Sequence, residues 1–107
     1  MAEDLSPARV AELLRDGAQL VDVREPYEHE AGRIAGDLHV ELERLTAEAG
    51  SIDRERPVVF YCRTGSRSAL AAQAFAAAGF EAHNLDGGLK AWVKDGLPIV
   101  PADGHVA

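Results

Sequence analysis

The chain contains a single cysteine, Cys62, and two arginines, Arg63 and Arg67, lie close to it in the sequence. The residues between the arginines are small and polar, so their backbone N–H groups can converge on one point and stabilise an anion there. A thiolate in such a setting has a pKa below the ordinary value of ~8.5, and the thiolate is the form of cysteine that attacks electrophiles. The segment therefore predicts a catalytic cysteine held in an anion-binding loop.

Each residue of this loop after Cys62 is a candidate contact for a bound anion. The candidates are Arg63, Thr64, Gly65, Ser66, Arg67 and Ser68. We expect the hydroxyl groups of Ser66 and Ser68 to cap the following helix and to hydrogen-bond the anion. A free cysteine is often only a small buried side chain. The flanking arginines and the glycine favour the catalytic interpretation, because a cysteine that serves packing alone needs neither.

A buried strand and a helix must position this loop. Residues 58–61 form a continuous apolar run, which is typical of a strand covered on both faces. Residues 66–78 predict a helix that is apolar almost all round, and we expect it to be buried. Cys62 then lies at the carboxyl end of a strand and just before a helix, which is where ligands bind in open α/β sheets.

The rest of the chain alternates between strand and helix patterns. Strands are predicted at residues 19–23, 38–40 and 80–85, and helices at 7–15, from Pro26 onward, at 42–48 and between Gly88 and Gly96. This alternation predicts a three-layer α/β/α domain with a mainly parallel central sheet. We expect one domain over residues 1–98, followed by a loose C-terminal tail at residues 99–107.

Asp22 and Arg24 lie at the carboxyl end of the strand predicted at 19–23, so we expect them near the same sheet edge as Cys62. The favoured interpretation is an ion pair that fixes the geometry of the strand and the loop. Direct contact between Arg24 and a substrate is the alternative. Both residues are therefore predicted to support the site.

Composition excludes several classes of function. The formal net charge is −7, from 11 basic and 18 acidic residues, which argues against nucleic acid or an anionic membrane as a partner. A single cysteine excludes an internal disulfide and a multi-cysteine metal site. The four histidines (His29, His39, His83 and His105) have no spacing typical of a metal site, so we expect no metal. The chain begins without a signal peptide and has no apolar run of ~20 residues, so we expect a cytoplasmic protein.

Four segments, taken in order, resemble signatures of the single-domain rhodanese family. They are Val21-Asp22-Val23-Arg24-Glu25-Pro26-Tyr27-Glu28, Gly32-Arg33-Ile34-Ala35-Gly36-Asp37, Cys62-Arg63-Thr64-Gly65-Ser66-Arg67-Ser68, and Asn84-Leu85-Asp86-Gly87-Gly88-Leu89-Lys90-Ala91-Trp92 with Gly96-Leu97-Pro98. The second segment departs from the family pattern at three positions, among them Arg33 for the usual histidine and Asp37 for alanine.

The resemblance implies a thiosulfate sulfurtransferase that needs no cofactor. A Cys62 thiolate would take the outer sulfur of thiosulfate or of a persulfide donor, release sulfite, and pass the sulfur to cyanide or a thiol, including a thioredoxin-like protein. An alternative is a sulfur-carrier module loaded by a partner protein. A distant alternative is a cysteine phosphatase or arsenate reductase. Cysteine phosphatases place their arginine after five intervening residues, however, whereas Arg67 follows Cys62 after four.

Overall fold

A computed structural model of the protein describes residues 2–107 and contains a five-stranded sheet. The strands are β1 (Glu3–Leu5), β2 (Gln19–Asp22), β3 (Leu38–His39), β4 (Val58–Tyr61) and β5 (Ala82–Leu85). Their order across the sheet is β1-β5-β4-β2-β3, and each of these pairings is parallel. The predicted parallel sheet is confirmed.

Helices cover both faces of the sheet. They are α1 (Pro7–Arg15), α2 (Pro26–Ala31), α3 (Ser66–Ala77) and α4 (Gly88–Lys94). One apolar cluster joins Val10 of α1 and Trp92 of α4 to Val59 of the sheet. A second cluster joins Phe75 of α3 to Phe60, which points to the opposite face of the same strand. The predicted three-layer α/β/α architecture is therefore confirmed.

Of the segment predicted as a helix at residues 42–48, only Leu42–Arg44 is helical, as a short 3₁₀ turn, and a second 3₁₀ turn follows at Ala49–Ser51. Only Leu45 is buried between residues 42 and 51. A short helix in a protein is stabilised mainly by packing of an apolar face, and one buried side chain supplies too little of it.

The helix after the cysteine loop is less buried than its composition predicts. The buried residues of α3 are Ser68, Ala71, Ala72 and Phe75, which form a single stripe at helical spacing. Leu70 on the other side is 62% exposed. The expectation of a helix buried on all sides is therefore wrong, because alanine is tolerated in water as well as in a core.

The C-terminal segment lies against the loop after α2, although the sequence predicts a loose tail. The backbone groups of Arg33 and Val100 exchange two hydrogen bonds of 2.9 and 2.8 Å, and the His105 N–H donates to the Ala31 carbonyl at 2.9 Å. A Cβ atom on Gly32 would lie 2.5 Å from the His105 carbonyl oxygen, so the contact depends on a glycine there. Whether the domain itself ends at residue 98 stays a prediction.

Within residues 2–107, none of the helices has the length and apolar character required to cross a bilayer.

Candidate active site

Cys62 lies at the carboxyl edge of the sheet, between the end of β4 at Tyr61 and the start of α3 at Ser66. Its side chain is fully buried. The neighbouring strand β2 ends at Asp22, which pairs with Tyr61 across the sheet. The structure thus brings the predicted nucleophile and the predicted supporting residues to one edge.

The N-terminus of α4 holds the cysteine loop in shape. The N–H groups of Leu89 and Lys90 donate to the carbonyl oxygens of Cys62 and Arg63 at 2.8 and 3.0 Å. A Cβ atom at Gly88 would lie 2.5 Å from the Arg63 carbonyl carbon and 2.6 Å from the Cys62 oxygen, so the loop approaches α4 more closely than any side chain permits. Because α4 binds the loop through these carbonyl groups, it leaves the N–H groups further along the loop free to bond to the sulfur, as that of Gly65 does. Gly88 is thus a residue of the site that the sequence interpretation missed, although the Gly-Gly pair was a signal.

The sulfur atom of Cys62 has polar partners from its own loop and from α3. The Gly65 N–H donates to Sγ at 3.1 Å, and the Ser68 Oγ lies 3.4 Å from Sγ. Burial raises the pKa of the Cys62 thiol, but hydrogen bonds from the Ser68 hydroxyl and from the N–H groups of Ser68, Gly65 and Thr64 outweigh it, and the pKa lies below its ordinary value. The site therefore favours the thiolate.

Gly65 allows the chain to turn from the loop into α3. Its φ angle is +101°, a left-handed conformation that residues with a side chain rarely adopt. It is also the residue immediately before the helix, and no side chain caps α3. The predicted capping role of Ser66 and Ser68 is wrong, because Gly65 occupies the cap position.

The two loop arginines are both bound by protein groups. Arg67 makes a two-pronged ion pair with Glu28 of α2, with N–O distances of 2.8 and 2.9 Å. The Glu28 carboxylate is 4% exposed, and the hydrogen bonds from Arg67 hold its pKa below the usual range although burial opposes this. The Nε of Arg63 donates to the carbonyl oxygen of Ala107 at 3.0 Å. Part of the positive charge expected for a substrate anion is therefore already compensated.

The remaining loop candidates differ in their accessibility. Thr64 and Ser66 are exposed and can contact a ligand, whereas Ser68 is fully buried beside the sulfur. Glu28 is a residue of the site that the sequence interpretation did not single out. An available signal was its place three residues after Glu25, because the two side chains form a capping box at the start of α2.

Asp22 and Arg24 form a fully buried ion pair. Two guanidinium nitrogens of Arg24 donate to the two carboxylate oxygens of Asp22 at 2.9 and 2.8 Å, and Nη2 also donates to the Gly32 carbonyl at 2.7 Å. The Arg24 N–H donates to the same carboxylate at 3.0 Å. This geometry matches the interpretation of a pair that fixes strand and loop, and Arg24 has no surface exposed to a substrate.

The positions that depart from the family pattern lie outside the cysteine loop. Asp37 accepts a hydrogen bond from the buried Tyr61 hydroxyl at 2.6 Å, and burial raises the pKa of this carboxyl although the Tyr61 bond opposes it. Arg33 donates from its side chain to the His29 carbonyl at 3.3 Å. Both residues thus have structural partners.

Two histidines come together with Asp22, which their spacing in the sequence does not predict. One ligand atom from each of His29, His39 and Asp22 lies within 4.8 Å of the others. The two imidazole rings are stacked at a centroid distance of 4.3 Å and an angle of 11°. One ion cannot lie in the planes of two stacked rings, and Asp22 already neutralises Arg24. The cluster is therefore a poor set of metal ligands.

Comparisons with known proteins give a consistent result. The Rhodanese-like domain family matches residues 6–95. The chain is 33% identical over 100 residues to the thiosulfate sulfurtransferase GlpE of Pseudomonas aeruginosa, and the alignment covers 92% of this chain and 87% of that protein. It is 38% identical over 86 residues to a sulfurtransferase of Allochromatium vinosum, and this alignment covers 79% of this chain and 80% of the relative. A rhodanese-related protein from Thermoplasma volcanium superposes with a TM-score of 0.86 at 26% identity, over 92% of this chain and 97% of that structure.

Proposed function

The chain belongs to the rhodanese-like domain family of sulfurtransferases, and on that premise we propose that it transfers sulfane sulfur from thiosulfate, or from a persulfide donor, to cyanide or a thiol through a Cys62 persulfide. The observation that carries the proposal is the setting of the sulfur atom. Sγ of Cys62 receives the Gly65 N–H at 3.1 Å at the N-terminal end of α3, where backbone donors and the helix dipole stabilise a negative charge.

In the first step the Cys62 thiolate attacks the outer sulfur of thiosulfate. A new S–S bond forms to Sγ, the S–S bond of thiosulfate breaks, and its electron pair leaves on sulfite. The persulfide that results carries one negative charge on its terminal sulfur. Backbone donors that are already in place stabilise this charge without reorganisation. Because Cys62 is buried, the donor must present its sulfane sulfur on a group narrow enough to enter the loop.

In the second step an external nucleophile attacks the terminal sulfur of the persulfide. The bond between the two sulfurs breaks, its electron pair returns to Sγ, and cyanide leaves as thiocyanate or a thiol leaves as a persulfide. The chain has no second cysteine to resolve the persulfide. The acceptor is therefore a separate molecule, and a thioredoxin-like protein is one class of acceptor that fits.

Loop length and the pairing of Arg67 both argue against phosphoryl transfer. A phosphatase arginine must be free to bind two phosphoryl oxygens with two of its guanidinium nitrogens. Here Nη1 and Nη2 of Arg67 are both bound to Glu28. The loop is also one residue shorter than that of the cysteine phosphatases.

A sulfur-carrier function is a second candidate, and the engaged arginines favour it. Thiosulfate is a dianion, whereas a persulfide carries one negative charge. With Arg67 neutralised by Glu28, the loop has less positive charge to attract the dianion. A protein persulfide as donor is therefore compatible with the same site.

Mass spectrometry and product assays test these functions together. After incubation with thiosulfate, we expect one added sulfur on Cys62, release of sulfite, and thiocyanate once cyanide is added. The Cys62→Ser variant is expected to do none of these. Transfer from a protein persulfide with no reaction from thiosulfate would favour the carrier. Hydrolysis of a phosphate ester that depends on Cys62 would refute both.

A further inference from the structure

A buried asparagine on β5 is bonded to the cysteine loop and to Ser68. Asn84 is 4% exposed. Its Nδ2 donates to the Asp4 carboxylate at 2.9 Å and to the Gly65 carbonyl at 3.1 Å, and its Oδ1 accepts from the Ser68 hydroxyl at 2.6 Å. Asn84 therefore lies one hydrogen bond away from the group that contacts the Cys62 sulfur.

The orientation of the Asn84 amide is determined by its partners. Asp4 and Gly65 offer only acceptor oxygens on that side, so a flipped amide would place its own oxygen against two others. The NH2 group must face Asp4 and Gly65, and Oδ1 must face Ser68. The asparagine thus presents a fixed acceptor to the serine.

Ser68 cannot satisfy both of its neighbours as a donor. Its hydroxyl has one proton, and two acceptors lie within reach: Oδ1 of Asn84 at 2.6 Å and Sγ of Cys62 at 3.4 Å. The bond to Asn84 is short, and amide oxygen is a better acceptor than the sulfur of a neutral thiol. In the thiol form the proton therefore points to Asn84. In the thiolate form the charged sulfur competes for it.

We propose that Asn84 is a positioning residue for sulfur transfer, and that it competes with the Cys62 thiolate for the single proton of Ser68. This inference rests on the proposed function in that Cys62 is the nucleophile. The competition makes the thiolate less stabilised, and therefore more basic and more nucleophilic, than full donation from Ser68 would make it.

The competition changes direction during the proposed cycle. When Cys62 forms a persulfide, the negative charge moves to the terminal sulfur and Sγ becomes a neutral atom. Ser68 then loses its charged acceptor and its proton returns to Asn84. A rotation of one hydroxyl group is enough for the change, and no heavy atom needs to move.

The test replaces Asn84 by a side chain of similar size that accepts no hydrogen bond. In Asn84→Leu, Ser68 is free to donate fully to the thiolate. We expect the pKa of Cys62, measured from the pH dependence of alkylation by iodoacetamide, to fall by about one pH unit. The rate constant of the fully ionised thiolate is expected to fall with it. In a Ser68→Ala background the same replacement is expected to leave the pKa unchanged.

The charged groups around the loop are the same in Asn84→Leu, in Ser68→Ala and in the double variant. Arg63 and Arg67 of the loop, Glu28 of α2 and Asp4 of β1 all remain in these three. Gln73→Leu serves as a control, because it removes an exposed amide from α3 away from the loop, and we expect it to leave the pKa of Cys62 unchanged. The Gly65 carbonyl keeps a donor when Asn84 is replaced, since the Ala69 N–H also donates to it at 3.1 Å.

A second route uses the exposed end of the network if Asn84→Leu does not fold. Asp4→Ala removes one of the two acceptors that orient the amide, so a smaller fall of the Cys62 pKa is expected. That fall should be absent in Ser68→Ala. A pKa that does not fall in Asn84→Leu, or that falls equally without Ser68, would overturn the proposal. Alkylation needs no sulfur donor, so this result is independent of whether thiosulfate is the substrate.

Discussion

Replacing Gly88 by alanine is expected to damage both the site and the fold. Gly88 has a φ of +64°, and an added Cβ would lie 2.5 Å from the Arg63 carbonyl carbon. The left-handed backbone costs alanine about 1–2 kcal/mol. The overlap also forces the loop away from α4, which weakens the bonds from Leu89 and Lys90 at about 1 kcal/mol each. Gly88→Ala should therefore lose about 3–4 kcal/mol of the free energy of unfolding.

Gly96→Ala at the other end of α4 is the matched control. Gly96 also has a positive φ, +81°, but nothing lies within 4 Å of its added Cβ. Urea unfolding should therefore give only the backbone strain of about 1–2 kcal/mol for this variant. Thiosulfate turnover should fall about 100-fold in Gly88→Ala, because a displacement of about 1 Å in a catalytic group has an effect of that size. It should be unchanged in Gly96→Ala. Equal turnover of the two folded variants would refute the conclusion that α4 shapes the cysteine loop.

Three further predictions concern the buried groups around the loop. Tyr61→Phe removes the hydroxyl that donates to the Asp37 carboxylate. Urea unfolding should therefore show a free energy of unfolding lower by about 1–3 kcal/mol, while the alkylation rate of Cys62 stays unchanged. An unchanged free energy of unfolding would contradict a stabilising role for this hydrogen bond. Arg67 lowers the pKa of Glu28 from its ordinary 4.5, so the pair stabilises the fold above that pH and loses its contribution as the pH falls through the lowered pKa. Glu28→Gln should therefore weaken the acid dependence of the unfolding free energy, and an unaltered pH profile would refute this. Asp22→Asn leaves the buried Arg24 charge uncompensated and should cost about 3–5 kcal/mol, whereas Asp22→Leu combined with Arg24→Met should recover most of the loss in thermal unfolding.

The sequence predicts the elements that have strong apolar patterns. The four apolar residues of β4 and the Ser-Pro start of α1 identify their elements correctly, since the structure has a strand at Val58–Tyr61 and Ser6 accepts from the Arg9 N–H at 3.2 Å. The strand β1 was missed because two of its three residues are acidic and exposed. Its place is determined by backbone pairing with β5, and a pattern of side chains does not report that.

The sequence predicts the anion-binding loop at Cys62, but it does not predict the hydrogen bonds and ion pairs that the loop makes with the rest of the chain. The order of residues after Cys62 predicts a cradle for an anion, and the geometry agrees with donors converging on the sulfur. The partners of the loop come from elsewhere in the chain: Glu28 lies 39 residues before Arg67, and Asn84 lies 16 residues after Ser68. Such contacts depend on tertiary packing, so spacing along the chain cannot predict which charges of the loop are already paired.

The pairing of β1 with β5 has a consequence for synthesis on the ribosome. Residues 3–5 pair with residues 83–85, so β1 cannot form its strand pairing until the segment of β5 has been synthesised. Such long-range pairing is slow to form. The same late segment supplies Asn84 and the α4 N–H groups that shape the cysteine loop. In a nascent chain that has not yet released β5 and α4, the cysteine loop therefore lacks the bonds from Asn84, Leu89 and Lys90. The loop can take its final shape only after nearly the whole chain has been synthesised.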